Sequence, residues 1–297
     1  MKIGFIGVGI MGSRMAHNVL KGGFDLVVYD TSRDAVQALV NEGANSGESP
    51  KDVASVTDVI ITMLPMPSDV ENVVLGVQGI IDGVKEGSIY IDMSTGDPIL
   101  AKRIADELEK LGVAALDCPV GGGKSEAIAG SLVLMAGGEA ETIENVQPLL
   151  ECMGKSVIHC GGPGTGQAMK LTNNMLGAMT YQATAEALSL GMKCGIELKT
   201  MLTVLSNTAA SNALITRVLP GKAFKGDYQP GFTLRLTQKD VGLALNLAKK
   251  YSVPVPLAAQ TLQRVSQLIS SGYGDLDIGA IIKAQADLLN LSIQLDE

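Results

Sequence analysis

The feature that most constrains the fold is a group of three glycines between a strand-like run and a helix-like one. The chain opens with KIGFIGVGIMG, where Gly7, Gly9 and Gly12 have the spacing G-x-G-x-x-G. The first glycine permits a tight turn, the second lets an anion approach the backbone, and the third lets the helix pack closely on the strand. The spacing is not specific by itself. Between a strand and a helix it predicts a dinucleotide-binding turn, with Ile10 and Met11 also at the cofactor.

A carboxylate ends the next strand-like run, DLVVYD. Asp30 follows Gly12 at a spacing that suits hydrogen bonds from the adenine ribose hydroxyls, and its charge would repel a 2′-phosphate. Arg33 comes shortly after and could instead reach such a phosphate. The sequence therefore predicts NAD as the cofactor and leaves NADP open.

Short apolar runs alternate with amphipathic stretches up to about residue 160. The runs are KIGFIGVG, DLVVYD, DVIITML, SIYIDM, VAALDC, LVLMAGG and SVIHCG. Several are apolar on both faces, as is typical of strands buried in a parallel sheet, and the β-α-β alternation favours a doubly wound sheet. Between two of the runs, Asp97 and Pro98 predict the start of a helix and Gly112 its end.

The segment GGPGTG, residues 161–166, ends this alternation, and long helical periods follow it. Residues 167–194 predict a single helix of about 42 Å. Near the end of the chain, NLAKKYSVPVPLAAQTLQRVSQLISSG predicts a helix, a proline-marked turn and a second helix. The predicted fold class is α/β. A Rossmann-type doubly wound domain of residues 1–163 precedes an all-α domain of residues 164–297, which is entered through a long interdomain helix. A helix of that length also predicts a homo-oligomer.

Composition excludes several classes of function. The formal net charge of the 297 residues is -8, without a clustered basic stretch, which disfavours nucleic-acid binding. No apolar run reaches the roughly 20 residues that span a bilayer, and the first residues do not resemble a secretory signal. With two histidines and four cysteines that lack C-x-x-C spacing, a metal site is not expected. We expect a cytoplasmic protein with reduced thiols and no membrane partner.

One polar cluster interrupts the predicted long helix. In GQAMKLTNNML, Lys170 precedes Asn173 and Asn174 by three and four positions, so the three side chains share a helix face. A solvated helix face is the ordinary interpretation. A catalytic acid or base held by amide neighbours is the alternative, and the spacing alone does not decide between them.

Six motifs in order resemble the β-hydroxyacid dehydrogenase family, which includes 3-hydroxyisobutyrate dehydrogenase and tartronate semialdehyde reductase. The resemblance covers nearly the whole chain and is more specific than any one motif. The motifs are GFIGVGIMGSRMAHNVLKGG at the start, DMSTGDP at 92–98, DCPVGGG at 117–123, GSLVLMAGG at 130–138, GTGQAMKLTNN at 164–174 and QKDVGLAL at 238–245.

The resemblance implies that Lys170 is the catalytic lysine of an enzyme that interconverts a short 3-hydroxy acid and its semialdehyde by hydride transfer. Such a reaction needs a proton donor at the developing alkoxide and a base in the reverse direction. An apolar environment lowers the pKa of an amine toward working pH, so a lysine can serve as both, and no metal is required.

The resemblance assigns further residues to the two ligands. Those implied to contact the cofactor are Leu64, Pro65, Thr95 and Lys239. Those implied to bind the substrate are Ser94, Gly121, Gly122, Gly123, Asn173, Asn174 and Asp240.

The glycine loop departs from the family pattern. Gly121 stands where most members have a serine that helps to bind the substrate carboxylate, so backbone N–H groups and added space remain. Sulfolactaldehyde reductases of the same family also resemble this chain here, but they follow the glycine with an arginine, where this chain has Gly122. Lys124 is close by and could substitute for that arginine. The substrate anion is therefore open between a carboxylate and a sulfonate.

Several alternatives stay open at this stage. The enzyme could reduce sulfolactaldehyde or succinic semialdehyde rather than a 3-hydroxyisobutyrate or tartronate semialdehyde type of substrate. The chain could also be a non-catalytic cofactor-binding interaction module, although Lys170 argues against that. The sequence does not distinguish a homodimer from a homotetramer, nor does it give the physiological direction of the reaction.

Overall fold

The computed structural model describes residues 1–295, and the chain divides into two compact units. The first runs from Met1 to Lys170 and the second begins at Leu171, so the division falls inside one helix. The domain boundary predicted from the sequence, between residues 163 and 164, lies a few residues earlier and stays a prediction.

The first unit is built on a nine-stranded sheet in the order β3-β2-β1-β4-β5-β6-β8-β7, with β9 also paired to β8. The strands are β1 (Lys2–Ile6), β2 (Asp25–Tyr29), β3 (Asn45–Ser46), β4 (Val59–Thr62), β5 (Ile89–Asp92), β6 (Ala114–Asp117), β7 (Val120–Gly121), β8 (Leu132–Gly137) and β9 (Gly154–Gly161). From β1 the chain adds β2 and β3 on one side and β4 to β6 on the other, so the order switches between β1 and β4. In doubly wound sheets such a switch point opens a ligand crevice at the carboxyl ends of the strands.

All seven apolar runs of the sequence are strands in the structure. The part from β3 to β6 is parallel throughout, as predicted. The far edge of the sheet is not, because β8 runs antiparallel to both β6 and β7, whereas β9 is parallel to β8. The two-residue strands β3 and β7 were not predicted, since neither contains an apolar run.

Eight helices begin in this unit. They are α1 (Gly12–Lys21), α2 (Arg33–Val40), α3 (Pro50–Ser55), α4 (Pro67–Leu75), α5 (Pro98–Glu109), α6 (Lys124–Ile128), α7 (Ala140–Met153) and α8 (Thr165–Lys193). Both faces of the sheet are buried: Phe5 of β1 belongs to one apolar cluster and its neighbour Ile6 to another on the opposite face. This two-sided burial confirms the doubly wound fold.

Two helices are present with nearly the predicted limits. Asp97 caps α5 by accepting the N–H of Ile99 at 2.9 Å, Pro98 opens the first turn, and Gly112 has a left-handed φ of +69° after the last turn. The predicted 167–194 helix is α8, which starts two residues earlier and ends one residue earlier.

The second unit is helical within the described residues. Beyond α8 it contains α9 (Leu198–Ser206), α10 (Leu219–Gly221), α11 (Leu234–Lys250), α12 (Pro256–Leu268) and α13 (Ala280–Leu288), with short 3-10 or π turns between some of them. Within this unit, Thr233 and Asp277 form an isolated antiparallel β-bridge. The predicted proline-marked turn joins α11 to α12, which opens with Pro256. The prediction of an all-α second region is confirmed for this part of the chain.

Among residues 1–295, no helix combines the length and apolar character that a membrane span requires.

Candidate active site

The glycine loop has the backbone geometry that the sequence predicted. Gly7 has a φ of +90°, and a Cβ there would lie 2.4 Å from the Met63 carbonyl oxygen. A Cβ on Gly12 would lie 1.9 Å from the Gly7 carbonyl oxygen, so α1 packs against the loop only because this residue is glycine. A Cβ on Gly9 would meet open space. The loop is therefore tight on two sides and open at its middle glycine, which fits close approach of a pyrophosphate.

Polar side chains at the start of α1 hold the loop. The Ser13 hydroxyl donates to the Gly9 carbonyl at 2.7 Å, and the Arg14 guanidinium donates to the Ile10 carbonyl. Ile10 is exposed beside the helix N-terminus and Met11 is partly buried. An exposed apolar side chain next to the amide end of a helix suits a ligand with both an anionic and a flat apolar part.

Asp30 connects the end of β2 to the glycine loop. Its carboxylate accepts the N–H of Val8 at 2.8 Å and the N–H of Ser32, also at 2.8 Å. The Thr31 hydroxyl also donates to this carboxylate at 3.4 Å. Because a carboxylate has about four acceptor sites, capacity remains for a ribose hydroxyl. Arg33, the competing candidate for a 2′-phosphate, is exposed at the start of α2.

The loops after β4 and β5 are joined by hydrogen bonds. The Ser94 hydroxyl accepts the N–H of Leu64 at 2.8 Å, and the Ser94 N–H donates to the Asp92 carboxylate at 3.0 Å. Ser94 is fully buried, whereas Pro65 is exposed and Thr95 is half-buried. The structure thus places Leu64 and Ser94 together. Whether Ser94 also contacts a substrate stays a prediction.

Residues Gly121–Gly123 follow the short strand β7. Gly121 pairs with Val133 of β8, and Gly122 has a φ of +123° that a residue with a side chain would adopt only with strain. The Gly123 N–H donates to the Glu126 carboxylate at 2.8 Å, and this bond lowers the pKa of Glu126. An acidic side chain therefore already uses one N–H of the loop that was predicted to bind the substrate anion. Sequence reasoning did not identify Glu126.

Lys170 lies on the second turn of α8 and is 9% exposed. The structure surrounds the first turn of this helix with buried polar residues to which the sequence gave no role. These are Asp92 at the end of β5, Asp117 at the end of β6, and Gln167 on α8 itself. All three lie inside the motifs DMSTGDP, DCPVGGG and GTGQAMK, so these motifs could have identified them as candidate site residues.

Burial changes the acid chemistry of this cluster. It raises the pKa of Asp117 to about 7, against the opposing effect of N–H donors from Gln167 and Gly164, and the nearby charge of Asp92 adds to the rise. Burial also raises the pKa of Tyr90, whose hydroxyl shares a 2.7 Å hydrogen bond with Thr62.

The second unit has a polar cluster of its own. The Asn174 amide on α8 donates to the Asp240 carboxylate on α11 at 2.6 Å, and the Asn173 amide donates to the Asn174 carbonyl oxygen at 3.0 Å. Lys239 Nζ lies 3.2 Å from the other oxygen of Asp240, which is almost fully buried. The structure therefore brings four predicted site residues of this unit together.

No group of three or more His, Cys, Asp or Glu side chains in residues 1–295 has the arrangement of a metal site.

Two family models match most of the chain. The first, described as the NAD binding domain of 6-phosphogluconate dehydrogenase, matches residues 2–162. The second, described as NAD-binding of NADP-dependent 3-hydroxyisobutyrate dehydrogenase, matches residues 164–285.

Relatives of known activity align over nearly the full length. Mitochondrial 3-hydroxyisobutyrate dehydrogenase of Bos taurus is 39% identical, over 95% of this chain and 85% of its own. The 3-sulfolactaldehyde reductase of Escherichia coli K12 is 38% identical, over 95% of this chain and 94% of its own. Among solved structures, Mycobacterium tuberculosis 3-hydroxyisobutyrate dehydrogenase with L-serine superposes with a TM-score of 0.89 at 30% identity, over 95% of this chain and 98% of that one.

Proposed function

This chain belongs to the β-hydroxyacid dehydrogenase family and is an NAD(P)-dependent oxidoreductase, and we propose that it interconverts a 3-hydroxy acid of three or four carbons with its semialdehyde. The observation that carries this proposal is the position of Lys170, a buried ammonium on the second turn of α8. The substrate is of the 3-hydroxyisobutyrate or tartronate semialdehyde type. L-Serine, which is present in the solved relative, is itself a three-carbon acid with a 3-hydroxyl group.

Lys170 is the general acid and base of the proposed reaction. In the reductive direction the carbonyl carbon accepts a hydride, the carbonyl π electrons move to oxygen, and the Lys170 ammonium transfers a proton to that oxygen. In the oxidative direction the neutral amine takes the hydroxyl proton as the C–H bond breaks. Its burial excludes water, and its positive charge stabilises the alkoxide.

The cofactor supplies or accepts the hydride when it is bound. Gly7, Gly9 and Gly12 would hold its pyrophosphate at the start of α1, with Ile10 and Met11 beside it. Asp30 would accept the ribose hydroxyls, so we favour NAD over NADP. Leu64, Pro65, Thr95 and Lys239 are proposed for the nicotinamide half.

The substrate residues keep the roles that the sequence suggested. Ser94 and Gly121–Gly123 are proposed contacts from the first unit, and Asn173, Asn174 and Asp240 from the second. We propose a carboxylate substrate, because Gly122 stands where a sulfonate-binding arginine would be expected.

A sulfonate substrate is the second candidate. Its support is the 38% identity to the sulfolactaldehyde reductase, which is almost the same as the identity to the bovine dehydrogenase. Overall identity therefore does not separate the two substrates, and the experiment below includes both.

We also propose that the protein is a cytoplasmic homo-oligomer, either a dimer or a tetramer. Its four cysteines are free thiols, as expected in a reducing compartment. The second unit carries an open groove of about 740 Å³ on α8, α12 and α13, and three exposed leucines, Leu176, Leu257 and Leu288, line it. Glu186 and Arg264 line the same groove, so two copies related by a twofold axis could pair opposite charges. Sedimentation equilibrium gives the mass, and a monomer would exclude this part of the proposal.

The experiment that tests the function is a reduction assay with purified protein. Loss of NADH or NADPH absorbance is followed with tartronate, methylmalonate and succinate semialdehydes and with sulfolactaldehyde. Lys170→Ala is assayed beside the wild type, and Lys102→Ala, which removes an exposed lysine on α5, is the matched control. We expect Lys170→Ala to lower kcat at least about 10²-fold, as removal of a general acid does, while Lys102→Ala matches the wild type.

Each outcome decides one part of the proposal. Turnover of sulfolactaldehyde alone would replace the carboxylate substrate by a sulfonate. Equal kcat values for Lys170→Ala and the wild type would exclude Lys170 as the acid and base. Cofactor binding without turnover of any substrate in the panel would contradict the proposed substrate class and favour a non-catalytic module.

A further inference from the structure

We propose that Asp117 and Gln167 are positioning residues for Lys170, because they fix the first turn of α8 to the ends of strands β5 and β6. This inference rests on the proposed role of Lys170 as the acid and base. It assigns neither residue a direct contact with the substrate or the cofactor.

Asp117, the last residue of strand β6, caps the N-terminus of α8. One carboxylate oxygen accepts the N–H of Gly164 at 2.6 Å, and the other accepts the N–H of Gln167 at 2.7 Å. These are two of the N–H groups at a helix N-terminus that have no partner within the helix. A carboxylate also interacts favourably with the positive end of the helix dipole. Both oxygens of Asp117 thus fix the start of α8, relative to β6.

Two glycines make this close approach sterically allowed. A Cβ on Gly166 would lie 2.3 Å from the Met135 carbonyl oxygen and 3.0 Å from the Asp117 carboxylate. A Cβ on Gly137 would lie 2.6 Å both from that carboxylate and from the Gly166 nitrogen. The first turn of α8 is therefore in direct contact with the strand ends, and there is no space for it to shift toward them.

Gln167 fixes the same turn to the loop after β5. Its side-chain carbonyl accepts the N–H of Gly96 at 2.8 Å, and its amide donates to the Ser94 carbonyl at 2.8 Å. The amide also lies 3.4 Å from the Asp92 carboxylate. Gln167 is fully buried, and its side chain bonds to both sides of Thr95, the residue proposed to contact the nicotinamide.

Lys170 follows Gln167 by three residues, a rise of about 4.5 Å along one helix. Any shift or rotation of the first turn therefore moves the Lys170 amine relative to the loop that holds Thr95. Displacement of a reacting group by about 1 Å can lower a rate about 10²-fold. A cap that served only the stability of the helix would not have this effect on kcat.

Two substitutions separate positioning from stability. Asp117→Asn keeps the size but places an amide N–H₂ against a backbone N–H. Gln167→Met keeps the volume and removes both polar atoms. The matched control is Asp52→Asn, which removes a carboxylate that accepts the Glu48 N–H at 2.9 Å in the first turn of α3, a helix without proposed site residues.

For each folded variant we measure kcat, the KM for substrate and the dissociation constant of the cofactor, and we measure thermal unfolding separately. We expect kcat per folded molecule to fall about 10- to 100-fold in Asp117→Asn and Gln167→Met, by the effect of misplacement. KM and the cofactor constant should change less than about threefold, since the contacts that bind uniformly remain. Asp52→Asn should keep all three values.

The inference is overturned if both variants unfold at lower temperature but keep the kcat of the wild type per folded molecule. Should Asp117→Asn not fold, Gln167→Met alone decides. The double variant adds a second criterion, because residues of one network lower kcat together by less than the product of their separate effects. Failure of the proposed function looks different, since Lys170→Ala itself would then retain activity.

Discussion

The two units each bury a carboxylate to the same extent but stabilise it in different ways. Asp117 in the first unit and Asp277 in the second are both 4% exposed. Asp117 accepts two backbone N–H groups at the start of α8. Asp277 accepts the ammonium of Lys222 at 2.5 Å and also the backbone N–H groups of Gly231, Phe232 and Gly279.

The difference is between a buried carboxylate that accepts only backbone N–H groups at the start of α8 and one that also contacts an ammonium. Burial, with no cation in contact among residues 1–295, raises the pKa of Asp117 to about 7. The ion pair of Asp277 joins the segment after α10 to the loop before α13, so its role is structural. Equal burial thus has different consequences, depending on whether peptide dipoles or an ammonium balance the charge.

The largest expected effect comes from breaking the buried ion pair. Asp277→Ala leaves a half-buried ammonium and three N–H groups without their acceptor. We expect the free energy of unfolding to fall by about 3–5 kcal/mol, as for other broken buried pairs. Urea unfolding measures this loss. The control is Asp275→Ala, which removes a highly exposed carboxylate paired with Arg235 at 2.9 Å. Equal losses in the two variants would contradict the structural role of Asp277.

The protonation of Asp117 should appear as a dependence of stability on pH. Because its pKa of about 7 in the folded protein exceeds the ordinary value of 3.8, the folded state binds the proton more tightly. The free energy of unfolding therefore falls by up to about 4 kcal/mol as pH rises from about 4 to about 7. Above that range the contribution of Asp117 is constant.

Urea unfolding across this pH range compares the wild type with Asp117→Asn, which lacks the titrating group. Titratable groups whose charge interacts with Asp117 include Asp92 on β5, Cys118 beside it and Cys160 on β9. They are present in both proteins, so the difference between the two curves reports Asp117 together with its electrostatic coupling to these groups. Parallel curves would mean that Asp117 does not titrate in this range.

The smallest effect is expected from an exposed ion pair in the second unit. Lys283 and Asp287 lie one turn apart on α13, and their side chains are 38% and 42% exposed. Solvent screens such a pair, so Lys283→Ala should lower the free energy of unfolding by only about 0.2–1 kcal/mol. Thermal unfolding at low and high salt measures it. A loss as large as that of Asp277→Ala would show that burial does not distinguish the two pairs.

The sequence was sufficient for the parts of the fold that depend on local pattern. Apolar runs identified the seven longer strands, and Asp97, Pro98 and Gly112 identified the limits of α5. Both predictions were possible because buried strands and helix caps depend on residues that are adjacent in the chain. The strands β3 and β7 have two residues each, too few for a period. The antiparallel direction of β8 depends on packing at the edge of the sheet, which no local pattern encodes.

The candidate site divides in the same way. The glycine loop, Asp30 and Lys170 have recognisable spacing or belong to motifs with a chemical reason. The contacts of Asp117 with Gly164 and Gln167 cross 47 and 50 residues of the chain, so they exist only once the sheet has formed. Glu126 was not predicted for another reason. Its bond to the Gly123 N–H is local, but the three glycines were interpreted as a loop whose N–H groups bind a substrate anion.

The distant cap on α8 also bears on the order of folding. A helix with a local cap can form its first turn early, whereas the first turn of α8 receives its cap from β6 only after the sheet is assembled. During refolding, helical signal in the far ultraviolet should therefore return before catalytic activity does. Partly folded chains would contain most of α8 and still lack a correctly placed Lys170, so activity reports completion of the sheet rather than formation of the helix.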